Sequence, residues 1–218
     1  RTADNRTVGI VGLGRIGQAI ADKLAPFNAK ILYHARNEKP VKYTYYSDLT
    51  EMARDSEVLI CITPGGPSTQ KLVNADVINA LGPKGILINV SRGSVVDETA
   101  LIAALEEGRL GAAGLDVFEQ EPKVPAALRA LSNVVLLPHV GSATVATRDA
   151  MGFKALDNLE AGDSEAEAAS RASAGEMALV EAARFQLEGA PLEDDGEPVG
   201  QVFQIVNFLR LRLVFLFQ

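Results

Sequence analysis

The sequence is poor in several things, and each shortage excludes something. One residue of 218 is cysteine, Cys61, so no disulfide can form within the chain, and a reducing, cytoplasmic setting is expected. Basic residues are not in excess: the formal charge of −7 speaks against a nucleic-acid partner, because polyanion binding needs a cationic face. Arg1–Thr7 is polar and the first apolar stretch runs straight into glycines, a pattern unlike a secretory signal. No apolar run reaches membrane-spanning length. Val199–Phe217 comes nearest, but Arg210 and Arg212 interrupt it, so a buried or interface segment is expected there and no membrane. Histidine occurs twice, at His34 and His139, internal repeats are lacking, and no metal site is expected.

What remains is ordinary globular composition, 47% hydrophobic and 22% charged, which excludes collagen-like, mucin-like and wholly disordered chains. The charge is unevenly placed. Residues 160–218 hold eleven acids against four bases and no lysine, whereas residues 1–159 are balanced. This step divides the chain into residues 1–160, read as one domain, and an acidic and apolar tail over 161–218. In the tail, Met177–Leu187 suits a short amphipathic helix and Glu193–Glu197 an acidic turn.

Within residues 1–160 short apolar runs alternate with helical spacing. The runs are Val8–Val11, Lys30–Tyr33, Val58–Ile62, Gly85–Asn89, Gly111–Asp116 and Val134–Leu137. Runs apolar almost throughout are strands buried on both faces, as in a parallel sheet covered by helices. Between them Ile16, Ile20 and Leu24, or Leu101, Ala104 and Leu105, recur at helical spacing. The fold class is therefore α/β, a doubly wound, Rossmann-like sheet with six strands in the order 3-2-1-4-5-6. Asp97 should cap the helix containing Leu101, and Pro26 should end the first helix.

The first strand leads into Gly12-Leu13-Gly14-Arg15-Ile16-Gly17, a G-x-G-x-x-G at the start of a helix. Gly12 suits the tight turn, Gly14 lets backbone approach a pyrophosphate, and Gly17 lets helix and strand pack closely. The helix N-terminus adds free N–H groups and a positive dipole end. A purely structural turn is the bland alternative. After the second strand stands Tyr33-His34-Ala35-Arg36-Asn37-Glu38-Lys39, with no acid at the strand end and Arg36 24 positions past Gly12. NAD sites usually put a carboxylate there for the ribose 2′-hydroxyl. A guanidinium pairs with a 2′-phosphate instead, so NADP is favoured over NAD, with Asn37 beside it. The bland alternative for Arg36 is a solvated surface charge.

Three further strings each follow an expected strand, on the edge where open α/β sheets bind ligands. They are Asn89-Val90-Ser91-Arg92-Gly93, Leu115-Asp116-Val117-Phe118-Glu119-Gln120-Glu121-Pro122, and Leu137-Pro138-His139-Val140-Gly141-Ser142. Taken together and in this order, they resemble the cofactor-binding domain of the D-2-hydroxyacid dehydrogenases over roughly residues 6–160, and most of all the glyoxylate, hydroxypyruvate and hydroxyphenylpyruvate reductases. The resemblance implies reduction of a small 2-oxo acid to the D-2-hydroxy acid with NADPH. It implies that Arg92 binds the substrate carboxylate and carbonyl, that His139 protonates the carbonyl oxygen, and that Glu121 holds and charge-stabilises the imidazole. It gives Asp116 the nicotinamide carboxamide, and lines the cofactor with Thr63, Pro64, Val90, Gly141 and Ser142. A homodimer formed through this domain is implied as well.

Family members also carry a substrate-binding domain built from both ends of the chain. Only Arg1–Thr7 precede the first strand here, and residues 161–218 do not resemble the family's closing segment. The expectation is therefore a chain that binds NADPH but by itself turns over 2-oxo acids poorly. A non-catalytic nucleotide-binding sensor or scaffold is the rival from another class. Each residue also has a plainer reading: Arg92 as a surface charge, Glu121 as part of a turn, Asp116 as a loop cap.

Overall fold

A computed structural model describes residues 4–160 of the chain. Expectations for Met177–Leu187, Glu193–Glu197 and Val199–Phe217 lie outside the described residues. Among the described residues seven strands form one sheet: β1 (Thr7–Val11), β2 (Lys30–His34), β3 (Thr44–Tyr46), β4 (Val58–Cys61), β5 (Ile86–Asn89), β6 (Ala112–Leu115) and β7 (Val134–Leu136). Six helices accompany them: α1 (Arg15–Leu24), α2 (Leu49–Arg54), α3 (Ala75–Leu81), α4 (Glu98–Glu106), α5 (Ala126–Ala130) and α6 (Val145–Glu160). The strand order is β3-β2-β1-β4-β5-β6-β7, and every pairing is parallel.

The doubly wound class holds, but the strand count needs correction. The order 3-2-1-4-5-6 is correct only when its third strand is Thr44–Tyr46, which the six apolar runs omit. Counted on those runs, Val58–Ile62 would lie beyond Lys30–Tyr33; instead it pairs with β1 on the opposite side. The omission has a physical reason. This edge strand has three residues, an exposed Thr and two half-buried Tyr, so it carries no aliphatic run.

Side chains alternate across the sheet, as the pleat requires. Val11, Leu32, Leu59, Cys61, Leu87 and Leu115 point to the face covered by α2, α3 and α4, where they meet Met52, Ile78 and Leu101. Val8, Ile10, Ile31, Tyr33, Val58 and Ile60 point to the other face, against Ala21, Ile20 and Leu24 of α1. Each fully buried aliphatic side chain contributes about 1.5–3 kcal/mol, so this two-sided core holds the strand ends in register. Among the described residues no helix is long and apolar enough to cross a membrane.

Local punctuation sets the helix starts. Asp48 accepts the Thr50 and Glu51 N–H groups, Asn74 those of Asp76 and Val77, and Asp97 that of Ala100, as expected for Asp97. These backbone bonds hold the Asp48 and Asp97 carboxyls below the usual carboxylate range. Helix α1 stops at Leu24, and Pro26 lies in the 3-10 turn that follows. One part of the helical pattern fails. Ile20 and Leu24 pack on the core, but Ile16 remains 60% exposed.

Candidate functional site

The strand order reverses between β1 and β4, and the carboxyl end of the sheet at such a point is where open α/β sheets bind ligands. The glycine turn occupies this point. Gly12 has φ +100°, a region costly for other residues, and a Cβ on it would lie 2.9 Å from the Thr63 nitrogen. Thr63, and with it Pro64 at the end of β4, is thereby placed against the turn. A Cβ on Gly17 would collide with the Gly12 carbonyl oxygen, so its bareness lets α1 start directly above the strand end. Gly14 is different. A Cβ there would meet nothing within 4 Å, so no protein group requires a glycine at this position. A ligand that approaches the backbone would require one. Arg15 and Ile16 flank this open backbone and are both exposed, which also accounts for Ile16 leaving the core. The residues present therefore fit a pyrophosphate cradled on the N-terminus of a ten-residue helix.

Arg36 and Asn37 follow β2 and are exposed. Among the described residues the Arg36 guanidinium has no hydrogen-bond or ion-pair partner. His34, next to the same strand end, places its Nδ1 3.0 Å from the Tyr46 carbonyl oxygen, as a second-strand end residue with a structural contact.

The loops after β5, β6 and β7 build a second cluster at the same sheet edge. The Asn89 side chain is buried, accepts from the Ser91 N–H (3.1 Å) and hydroxyl (2.7 Å), and donates to the Arg92 carbonyl (3.0 Å). This ties the Arg92 turn in three places. Val90, in the same turn, donates its N–H to the Cys61 carbonyl. The Arg92 side chain donates to the Ser91 carbonyl and lies over Gly65, where a Cβ would come within 2.8 Å of Arg92 Cγ. A Cβ on Gly93 would collide with the Phe118 carbonyl, so this glycine brings the Arg92 loop against the backbone after β6. That backbone carries Glu121.

Glu121 and His139 meet. One Glu121 oxygen accepts the Phe118 N–H at 2.9 Å, and the other lies 2.8 Å from His139 Nδ1. A carboxylate only accepts, so Nδ1 is the donor and Nε2 is left as the ring nitrogen for other chemistry. The pair is half-buried, with side chains 37% and 36% exposed. His139 has φ +54°, the left-handed region that few side chains occupy. What holds it there is Asp116, whose two oxygens accept the Val140 and Gly141 N–H groups at 2.8 Å each. Asp116 is buried, and its neighbour Gly141 leads through exposed Ser142 into α6. The loop-capping reading of Asp116 is thus realised, and carboxylate lone pairs remain for another donor.

Reasoning from sequence passed over four positioning residues. Asn89, Ser91 and Gly93 sit inside the Arg92 string but had been assigned no role. Gly65, in Pro64-Gly65-Gly66-Pro67, carried only a turn signal. Glu98 is a further support: its carboxylate accepts the Glu119 N–H at 3.2 Å. Desolvation holds its pKa above the usual value, with the Glu119 charge adding to this and the backbone bond opposing it. Among the described residues no hydrogen bond or ion pair joins Arg92 to the Glu121–His139 pair; the Gly93–Phe118 approach connects their loops.

Comparison with known proteins agrees with this geometry. The family model described as "D-isomer specific 2-hydroxyacid dehydrogenase, NAD binding domain" matches residues 1–141. Hydroxyphenylpyruvate reductase of Plectranthus scutellarioides is 54% identical over 157 residues, covering 72% of this chain and 50% of that protein. Glyoxylate/hydroxypyruvate reductase A of Arabidopsis thaliana shows the same identity and coverage. Among solved structures, an NADPH-dependent glyoxylate/hydroxypyruvate reductase of Sinorhizobium meliloti, in complex with NADP and malonate, superposes with a TM-score of 0.72 at 56% identity. That alignment covers 74% of this chain and 51% of the other. The chain thus spans about half the length of the curated relatives it matches.

Proposed function

The chain belongs to the D-isomer specific 2-hydroxyacid dehydrogenases by its NAD-binding domain, and from that premise we propose that it serves the NADPH-dependent reduction of a small 2-oxo acid to the D-2-hydroxy acid. Hydroxypyruvate, glyoxylate and hydroxyphenylpyruvate are the proposed substrates, by analogy with the names its relatives bear. Gly12, Gly14, Gly17, Arg15 and Ile16 take the pyrophosphate side of the cofactor, Arg36 and Asn37 its 2′-phosphate. Thr63, Pro64, Val90, Asp116, Gly141 and Ser142 line the rest. The chemistry that a nicotinamide held there would supply is hydride donation.

The chain's own residues do the remainder. Arg92 offers a fixed cationic fork to the substrate carboxylate and carbonyl, stabilising the negative charge that develops on oxygen. His139 delivers the Nε2 proton to that oxygen. Glu121, tied by the Phe118 N–H, fixes the ring orientation by accepting from Nδ1, which leaves Nε2 to face the substrate. The observation that carries this reading is the 2.8 Å Glu121–His139 contact at the same sheet edge as the open glycine turn.

The test is NADPH oxidation with the three 2-oxo acids, comparing the parent with His139→Gln. The variant should lower the rate about 100-fold or more while NADPH binding stays within about twofold. A rate unchanged by the substitution would overturn the assignment. We further propose that residues 1–160 form the cofactor-binding unit, that the chain is a homodimer, and that it works in the cytoplasm. Limited proteolysis leaving a core that ends near Glu160, a dimer mass in sedimentation, and the location of a tagged chain test these in turn.

A further inference from the structure

The segment that carries Arg36 is braced by two phenols. The Tyr33 ring is fully buried, and its hydroxyl accepts the Lys39 N–H at 2.8 Å while donating to the Lys39 carbonyl at 3.3 Å. Tyr45, the register partner of Tyr33 on β3, donates to the Ala35 carbonyl at 3.2 Å. The two rings lie with centroids 5.3 Å apart, tilted by 46°, so each limits the other's movement. Lys39 additionally accepts the Val41 N–H through its carbonyl, and Pro40 stiffens the chain between them. Both ends of the segment are therefore fixed, and only Arg36, Asn37 and Glu38 lie between the anchors.

We propose that Tyr33 and Tyr45 are positioning residues for cofactor choice: they hold the Arg36–Glu38 tip so that the guanidinium already stands where a 2′-phosphate binds. This rests on the reading that Arg36 takes that phosphate. The physical reason is preorganisation. An exposed arginine on a loose loop must lose loop and rotamer freedom on binding an anion, and that loss subtracts from affinity. A loop whose ends are already pinned loses less. The short strand β3 gains a function in this account, since it exists at the sheet edge to bring Tyr45 beside Tyr33.

The test is fluorescence titration of the full chain with NADPH and with NADH. The proteins are the parent, Tyr33→Phe, Tyr45→Phe, Arg36→Ala and the double variant Tyr33→Phe/Arg36→Ala. Each Phe variant keeps its ring and loses only the hydroxyl. Tyr33→Phe should weaken NADPH about fivefold or more, since one hydrogen bond is worth about that factor and the hydroxyl makes two with Lys39, and change NADH less than about twofold. In the Arg36→Ala background the same change should leave NADPH affinity where Arg36→Ala alone puts it, because the two act as a unit. Exchange of the Lys39 amide with solvent should quicken in Tyr33→Phe. If Tyr33→Phe folds poorly, Tyr45→Phe, which leaves the Lys39 anchor intact, must still reduce the NADPH preference.

An unchanged NADPH-to-NADH ratio in both Phe variants, with Arg36→Ala losing the preference, overturns the brace and leaves the cofactor assignment standing. Equal loss of both cofactors in the Phe variants likewise overturns it. A parent that binds NADPH and NADH equally overturns the assignment and the brace together.

Discussion

Asp116→Asn is the substitution whose outcome the geometry constrains most tightly. The buried carboxylate accepts two N–H groups at 2.8 Å, from Val140 and Gly141, and thereby keeps His139 at φ +54°. Asparagine is nearly the same size, so packing is retained. One of its two groups remains an acceptor; the other becomes an NH₂ facing an N–H. A charge-assisted hydrogen bond is therefore exchanged for two donors in opposition, which costs about 2–3 kcal/mol. At about 2–4 °C per kcal/mol for a domain of this size, the melting temperature should fall by roughly 5–10 °C. Urea unfolding followed by far-ultraviolet circular dichroism measures the loss directly. Glu121→Gln is the control: that pair is about one-third exposed, the Phe118 N–H keeps its acceptor, and the loss should be under about 1 kcal/mol. An Asp116→Asn variant within about 0.5 kcal/mol of the parent would show that the carboxylate does not hold the His139 loop, and the reasoning would fail.

The glycines separate folding from binding. Gly14→Ala should leave the melting temperature unchanged and weaken NADPH binding, whereas Gly17→Ala, which meets the Gly12 carbonyl, should lower the melting temperature markedly; the reverse pattern in calorimetry and titration would contradict both assignments. Asp97→Ala should cost about 1 kcal/mol in chemical unfolding through the lost cap. The Asp97 and Asp48 carboxyls titrate lower in the folded chain than in the unfolded one, so the folded chain binds fewer protons. Their stabilisation is therefore full above the ordinary carboxylate range and declines as pH falls below about 4. In Asp97→Ala the acid unfolding slope should be shallower. Burial pushes the Cys61 thiol up to about 12, so a thiol reagent at pH 8 should label it only after unfolding, and rapid labelling of the folded chain would be inconsistent with its place in β4.

How much of this was legible beforehand depends on what each residue reports. The aliphatic runs and the glycine spacing showed the layered fold and the phosphate turn, because burial on two faces and close approach leave a trace in residue type. β3 left a weaker trace: three residues, none aliphatic, whose pairing with β2 only the fold reveals. Ile16 shares the helical spacing of Ile20 and Leu24 but stays exposed beside the glycine turn, since helical spacing does not say which turn of a helix meets the core. Asp116 illustrates another limit. Its position after a strand suggested a ligand, while the two backbone amides it serves lie 24 and 25 residues further along the chain. The same holds for the phenols of Tyr33 and Tyr45, whose partners only the folded loop supplies.

The central claim, that the open turn at Gly14 and the cation at Arg36, unpaired among the described residues, make this chain an NADPH site, is tested most directly by calorimetric titration with NADPH and NADH at equal ionic strength. The account predicts NADPH tighter by about tenfold or more, with Arg36→Ala bringing the two together. Equal affinities in the parent, or a preference that survives Arg36→Ala, would contradict it.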